Sequence, residues 1–477
     1  MTDLRGSPRR RLLDWIRDER NQRRIVIGLL AFVIVYAMFF VQLRNTPGVG
    51  ELMRTFPLPS VNNLIVMCYY AILALGLNVV VGFAGLLDLG YVAFYVFGAY
   101  TTAVLASPLF NIHVPWWFVA PIAVAVAATA GVLLGAPTLK LRGDYLAIVT
   151  LGFGEILPRL AKNLDSVNID IGFSIPGNIL GLQWMAKDLD IIPLTRLVGP
   201  DTNVTGGNIG VNPIDPPILP IPGPWGAQLE FSNSNPTASF VLILALLLLV
   251  FFVCIRLRDS RLGRAWIAVR EDETAAASMG IDTVSTKLLA FGLGASFSGF
   301  TGAFFGSYST AIFPESFNFA ISITILIMII LGGMGSLRGV VLGAFMLIYI
   351  NETLLPYLGA FVDTPVQAVG GAISAVPLFG ELLRTFTLTS YNFLIFGVIL
   401  ILFMLFRPEG LLPAAARKAE LHGEGVSADE TFGTSSEVAE AATDFEEREE
   451  GGLPGAPDEP DQPGGGAAPA GGGGGAT

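Results

Sequence analysis

The sequence predicts an all-α polytopic membrane protein of about ten transmembrane helices with a disordered acidic C-terminal tail. Of 477 residues, 52% are hydrophobic and only 14% charged. The apolar residues fall into runs of about 16 to 22, the length a helix needs to cross the hydrocarbon core. The third observation is where the charge sits. The formal net charge is −11, from 39 acids and 28 basic residues. From Ala414 onward 14 acids face 3 basic residues, which leaves 25 of each before it, so all the net negative charge belongs to the tail.

Ten spans follow in order: Ile25–Leu43, Val61–Gly82, Leu89–Ala106, Pro115–Ala136, Tyr145–Leu160, Thr237–Ile255, Lys287–Tyr308, Phe317–Leu331, Gly339–Leu354 and Tyr391–Phe406. They divide the chain into a basic N-terminus (1–24), a membrane domain (25–413) and a tail (414–477). Eight arginines lie within residues 1–24: Arg5, Arg9, Arg10, Arg11, Arg17, Arg20, Arg23 and Arg24. The positive-inside rule puts that end in the cytoplasm. Threading ten spans from there places Lys140, Arg142, Arg256, Arg258, Arg261, Arg264, Arg270, Arg338 and Arg407 inside as well, with both termini cytoplasmic in a multi-pass plasma or inner membrane protein. The basic stretch before Ile25 is long and the following apolar run can span, so no cleavable signal peptide is expected.

Residues 161–236 fall outside under this threading, as a Pro- and Gly-studded loop with three basic residues against seven acids. A loop that long has a job or is disordered, and it is placed either to cap the bundle or to meet an external partner. The tail combines Asp444-Phe-Glu-Glu-Arg-Glu-Glu450 with glycine runs at 464–466 and 471–475, a composition unable to bury enough apolar surface to fold. Cys68 and Cys254 each fall inside a span and His113 is far from His422. Neither a disulfide framework nor a metal site is indicated.

Residues 257–285 form a charged inward-facing loop whose core runs from Ser260 to Asp282. Glu271, Asp272 and Glu273 sit where they favour the positive N-terminal end of a short helix, Ala275 to Ala277 offer a close-packing face, and Gly280 supplies the stop. A compact plug of this kind, beside Arg270, is suited to being gripped by another protein. It points to a transporter driven from the cytoplasmic side by a separate engine.

Inside the bundle, Ala295, Gly299, Gly302 and Gly306 put small residues along one helical face, the pattern of close helix approach. Leu331-Gly-Gly-Met-Gly-Ser-Leu-Arg-Gly339, with Gly332, Gly333 and Gly335, and Gly82-Phe-Ala-Gly-Leu-Leu-Asp-Leu-Gly90 interrupt the spans. Each is either a cytoplasmic turn or irregular backbone lining a path. Phe97–Thr102 and Phe305–Thr310 echo one another as a possible internal repeat. Glu155 lies ten residues past Tyr145, roughly 15 Å along a helix. It can receive an ammonium group or pair with Arg159 at i+4. Asp88 has no cation near it in sequence and is either exposed in a turn or turned toward a wet cavity.

Five blocks together resemble the permease family of branched-chain amino-acid ABC importers, specifically its LivM-like subunit: Gly76–Phe94, Leu141–Ile156, Ser260–Asp282, Leu331–Gly339 and Phe406–Leu412. They occur in family order between about Val61 and Leu412. Thr205–Gly210 resembles a further block, which makes much of Leu164–Val204 an insertion. The resemblance implies a subunit that pairs with a second homologous permease, two cytoplasmic ATPase subunits and an external solute-binding protein. ATP and Mg are used by those partners, and this chain carries no cofactor, catalytic residue or metal and binds no nucleic acid. The family's ATPase-docking loop falls on Arg270–Gly280, and Asp88, Tyr91, Glu155, Gly332, Gly333 and Gly335 are path candidates. The chain departs from the family at Asp88 and Tyr91, where Ser and His are frequent, and at Thr274, where other ABC importers carry Glu. No Gly-x4-Gly-Lys-Ser/Thr phosphate loop occurs, so hydrolysis belongs elsewhere. Permeases for urea or short-chain amides share the framework. A carrier driven by ions through Glu155 or Asp88 is the alternative from another class.

Overall fold

The computed structural model describes residues 57–108, 112–138, 144–163, 205–220, 228–372, 387–406 and 410–412. The first expected span, most of the insertion and the acidic tail lie outside the described residues. Twelve helices are described: α1 Val61–Asn78, α2 Val92–Leu105, α3 Trp116–Thr138, α4 Asp144–Asn163, α5 Pro236–Arg258, α6 Arg261–Glu271, α7 Glu273–Ser278, α8 Thr283–Ser309, α9 Phe319–Gly332, α10 Leu337–Tyr349, α11 Leu355–Ala372 and α12 Asn392–Phe406. Seven helical stretches are long and apolar enough to cross a membrane, with α2 shorter. Each expected span from Val61 onward falls on a described helix, but the fifth, Tyr145–Leu160, lies on α4, which is not among the seven, and the ninth needs a correction. The ninth does not stop at Leu354 but continues through a π-helical turn, Ile350–Leu354, into α11. Pro356 should interrupt it, since proline leaves the carbonyl four residues earlier without its amide donor. Asn63 of α1 supplies the donor instead, its Nδ2 bonding the Glu352 carbonyl at 3.0 Å and the Thr353 hydroxyl at 3.0 Å.

Helix α8 is the axle of the bundle and packs most extensively on α3 and α2. Its small residues explain why. A Cβ at Gly302 would overlap the Tyr95 carbonyl and sit 2.7 Å from the Ala99 nitrogen, and one at Gly131 of α3 would sit 2.5 Å from the Ala295 Cβ. Gly299 lies against Ala127 and Ala123 on the other side, so α8 is wedged between two neighbours at backbone distance. The Trp116 indole N–H on the Ala303 carbonyl (3.1 Å) pins the α3 contact. Of the echoing hexapeptides, one lies within α2 and the other runs to the end of α8, and these two helices pack side by side.

The two ends of α8 define the two ends of the molecule. Beyond Ser309 the chain meets a cap of irregular backbone. Val211 and Ile312 pair as a β-bridge, Ile214 N–H bonds the Thr310 carbonyl at 2.8 Å, and Asp215 N–H bonds the Ala106 carbonyl at 2.7 Å. Two short antiparallel ribbons, β1 Ala106–Ser107 with β2 Ile112–His113 and β3 Ile218–Pro220 with β4 Gln228–Glu230, complete it. His113 Nδ1 and Asp215 Oδ2 lie 2.6 Å apart on its surface. The described residues of the long loop therefore lie across this end of the bundle. At the opposite end, before Thr283, stands the α6–α7 hairpin.

Candidate functional site

The hairpin is built by caps. Ser260 accepts the Gly263 N–H at 3.2 Å to start α6, and Gly263 is required because a Cβ there would overlap the Leu257 and Arg258 carbonyls. Asp272 closes α6 in an extended conformation and caps α7, one carboxylate oxygen accepting the amides of Thr274 (2.8 Å) and Ala275 (2.9 Å). Gly280, at φ +84°, ends the turn. Asp282 then caps α8 through Ser285, whose hydroxyl (2.6 Å) and amide hold the carboxyl below the usual range. Replacing Asp272 by Ala leaves two amides without their acceptor, and a loss of about 1 kcal/mol is expected, readable as faster amide exchange in α7.

Three contacts tie this hairpin to the bundle. Trp266 is fully buried and its indole N–H bonds the Thr286 carbonyl of α8 at 2.8 Å. Glu273 pairs with Lys287, also on α8, at 2.6 Å. Arg270 reaches across to α1, where its Nη1 bonds the Gly82 carbonyl at 2.7 Å, in the π-helical turn Val79–Phe83 that ends that helix. Gly85, at φ +71°, leaves the room the arginine stem needs, since a Cβ there would lie 2.6 Å from Arg270 Cγ. Of the alanine face only Ala276 is buried. Glu271, Asp272, Glu273, Ala275, Ala277 and Gly280 are exposed. So are two apolar side chains that sequence reasoning missed, Met279 (84%) and Val284 (60%). The hairpin thus turns its tryptophan and arginine inward and presents a small, acid-rimmed apolar surface outward.

Asp88 is not in an exposed turn. It is buried, and its Oδ1 accepts the Gly90 N–H at 2.9 Å ahead of α2, while Oδ2 has no hydrogen-bond partner. A carboxylate suits the positive end of a helix. The turn around it is held by hydroxyls from other helices: Thr150 of α4 accepts the Leu89 N–H (3.1 Å), and Ser322 of α9 accepts the Val92 N–H (3.0 Å). Asp88 lines a cleft with Thr138, Thr150, Phe94, Phe153 and Phe291 whose free space admits about one water.

Tyr91 points the other way. It is fully buried, donates to the Gly294 carbonyl at 2.9 Å, and fits only because position 76 is glycine, where a Cβ would overlap its hydroxyl oxygen. Gly332, Gly333 and Gly335 form a packed turn. Gly333 and Gly335 have positive φ, and Leu411 and Leu412 donate to the carbonyls of Leu331 and Gly332 at 2.9 and 3.1 Å. Gly335 N–H bonds Asn78 Oδ1 of α1 at 3.0 Å.

Glu155 lies on α4, one residue past Gly154. Gly154 packs against Gly90, with an added Cβ only 3.0 Å from the Gly90 Cα, so the two carboxylates flank one helix contact. Glu155 pairs with Arg159 at 2.9 Å, Arg159 being largely exposed. Lys162 stands 3.6 Å from Glu315 on the 310–318 connector. Asp88 and Glu155 line different clefts near the Gly90–Gly154 contact, while Tyr91 and the 332–335 glycines are packing elements. Among the described residues no group of His, Cys, Asp or Glu is arranged to hold a metal, and Cys68 and Cys254 are buried and unbonded.

A bundle of long apolar helices with a tethered, outward-facing hairpin at one end defines a multi-pass membrane protein. The sequence profile of the branched-chain amino acid transport system permease component matches residues 60–171 and 221–404, and the chain belongs to that family. It is 36% identical over 376 residues to the high-affinity branched-chain amino acid transport system permease protein LivM of Salmonella typhimurium, covering 76% of this chain and 72% of that protein. LivM of Escherichia coli is 37% identical over 366 residues, covering 74% and 69%. The high-affinity branched-chain amino acid transport system permease protein LivH of Salmonella typhimurium is also similar, at 25% identity over 290 residues, covering 58% of this chain and 79% of that protein. No solved structure matches at a significant level. As a permease component the chain is not the nucleotide-hydrolysing subunit.

Proposed function

We propose that this chain forms half of the translocation path of an ABC importer for branched-chain amino acids. It pairs with a second homologous permease, works with two cytoplasmic ATPase subunits that dock through α6–α7 on this chain, and receives solute from an extracytoplasmic binding protein at the capped end. ATP and Mg belong to the ATPases, and this chain needs no cofactor of its own. The observation that carries the reading is the hairpin: a rigid, exposed surface bonded through Arg270 to α1 and through Trp266 and Glu273 to α8. Basic residues gather around it (Arg256, Arg258, Arg261, Arg264, Arg270), which supports a cytoplasmic position and, with it, cytoplasmic termini.

The physical consequence is a lever. Displacement of the hairpin by the closing ATPase pair pulls on the ends of α1 and α8 together, and α8 carries α2 and α3 with it because their backbones interlock. The charged face of α4 is the side that faces the path. Glu155 and Arg159 form a charged pair on this face, and ionisable residues in membrane segments favour a protein-facing or water-filled position over lipid, which sets the pair against the second permease and its water-filled seam. Asp88 lies inward of them, while Tyr91 and the 332–335 glycines hold the surrounding backbone.

The test is reconstitution. The full complex in proteoliposomes is expected to accumulate labelled leucine, isoleucine and valine only with ATP, and the chain is expected to co-purify with its ATPases. Preferential uptake of urea or short amides would reassign the solute. Gradient-driven transport by this polypeptide alone would overturn the reading.

A further inference from the structure

Beside the Glu155–Arg159 pair lies an open cleft of about 180 Å³. Its lining is unusual for a membrane bundle, with two acids and two bases, Glu155, Glu315, Arg159 and Lys162, backed by Phe317 and Phe319. Counting from Asn163 at the end of α4, Glu155 sits roughly 12 Å in, inward of the cap. From this geometry we infer that the cleft is a binding station for zwitterionic α-amino acids, with Arg159 and Lys162 taking the carboxylate, Glu155 and Glu315 the ammonium group, and the phenylalanines the apolar side chain. The inference rests on the importer reading and adds to it a recognition site within the membrane subunit.

Two features favour a ligand over a purely structural charge cluster. The Lys162–Glu315 separation of 3.6 Å is beyond a good hydrogen bond, so each partner retains bonding capacity that a ligand of opposite charge can use. Arg159 meets Glu155 through Nη2, and its planar fork carries further donors suited to a second carboxylate. Both pairs are also partly exposed, so a ligand has access. A zwitterion fits such a lining because it brings one charge for each pair and leaves net charge unchanged. The ring of Phe317 is shared with an aromatic cluster deeper in the bundle, 5.2 Å from Tyr95 and 6.1 Å from Phe305. The apolar side of the cleft is therefore continuous with the core.

The test has a binding arm and a transport arm, both on the complete complex. Labelled leucine is added to the detergent-purified complex without binding protein or nucleotide and competed with leucinamide, which lacks the carboxylate, and 4-methylpentanoate, which lacks the ammonium group. Saturable leucine binding is expected, with both analogues at least about tenfold weaker as competitors, the scale of a lost charge-assisted hydrogen bond. In the transport arm Glu155 and Arg159 are exchanged, E155R with R159E, which keeps the ion pair but moves each charge. Uptake is expected to fall by at least about tenfold, whereas a structural pair would tolerate the exchange. Wild-type uptake by the exchanged variant, equal competition by all three compounds, or no saturable binding each overturns the station while leaving ATP-driven import intact. If the complex imports no branched-chain amino acid, the importer reading fails, and the binding arm still judges the station.

Discussion

Replacing Ala275 with arginine is expected to lower ATP-driven uptake by the complete complex by at least about tenfold while the chain still inserts and pairs with its partner permease. Ala275 is exposed on α7, outside the contacts by which the hairpin holds the bundle, so the substitution leaves Trp266, Arg270 and Glu273 in place. What it changes is the outward surface. A close-fitting partner groove would have to bury an unpaired guanidinium, a cost of several kcal/mol, and the ATPases dissociate or slip. The measurement is labelled leucine uptake in proteoliposomes alongside the amount of ATPase retained on affinity purification. Ala275→Ser, nearly the same size, serves as the control and keeps both. If Ala275→Arg transports normally with its ATPases retained, α7 is not the gripped surface, and force must enter the bundle elsewhere.

The α7 half of the hairpin was legible because its signals are local. The acids at 271–273 stand at the start of α7 and Gly280, at φ +84°, ends it, whereas α6 with its Ser260 cap was not foreseen. Most of the described spans were legible for the same reason, since length and hydropathy set them, while α4 with its Glu155, Arg159 and Lys162 is not among the stretches apolar enough to cross. What stayed hidden depends on residues far apart in sequence. Arg270 bonds a carbonyl 188 positions earlier, and nothing beside either residue announces it. The ninth span is expected to end at Leu354, whereas the helix runs on past Pro356, and Asn63, which satisfies the Glu352 carbonyl, lies 289 positions from it. Asp88 was ambiguous until Thr150, Thr138 and Phe291 closed around it. Tyr91 departs from the related motif yet is accommodated by glycines at 76 and 294 on two other helices. Exposed Met279 and Val284 carry no sequence signal of their own, since a partner surface is only visible once the chain's own packing is known.

Gly98→Leu is expected to have the largest effect on the folded protein. A Cβ at Gly98 of α2 would overlap the Gly299 carbonyl oxygen of α8 and lie 2.5 Å from the Gly299 Cα. Those atoms are backbone, so no rotamer change relieves the clash. Moving α8 away is also blocked, because on its far side Gly299 meets Ala127 and Ala123 of α3, and Ala295 meets Gly131. Overpacking a core commonly costs about 1–3 kcal/mol when side chains can adjust. With three backbones locked together the cost here lies at or above the top of that range, comparable to a sizeable fraction of a domain's stability. The expected result is loss of the protein from the membrane fraction, or a much lower thermal midpoint in detergent. Gly397→Ala on α12, where an added Cβ meets nothing within 4 Å, should leave both unchanged. A Gly98→Leu protein that accumulates and melts like the parent would mean that α2 and α8 do not approach at backbone distance, and the rigid block through which the hairpin is proposed to move the bundle would not exist.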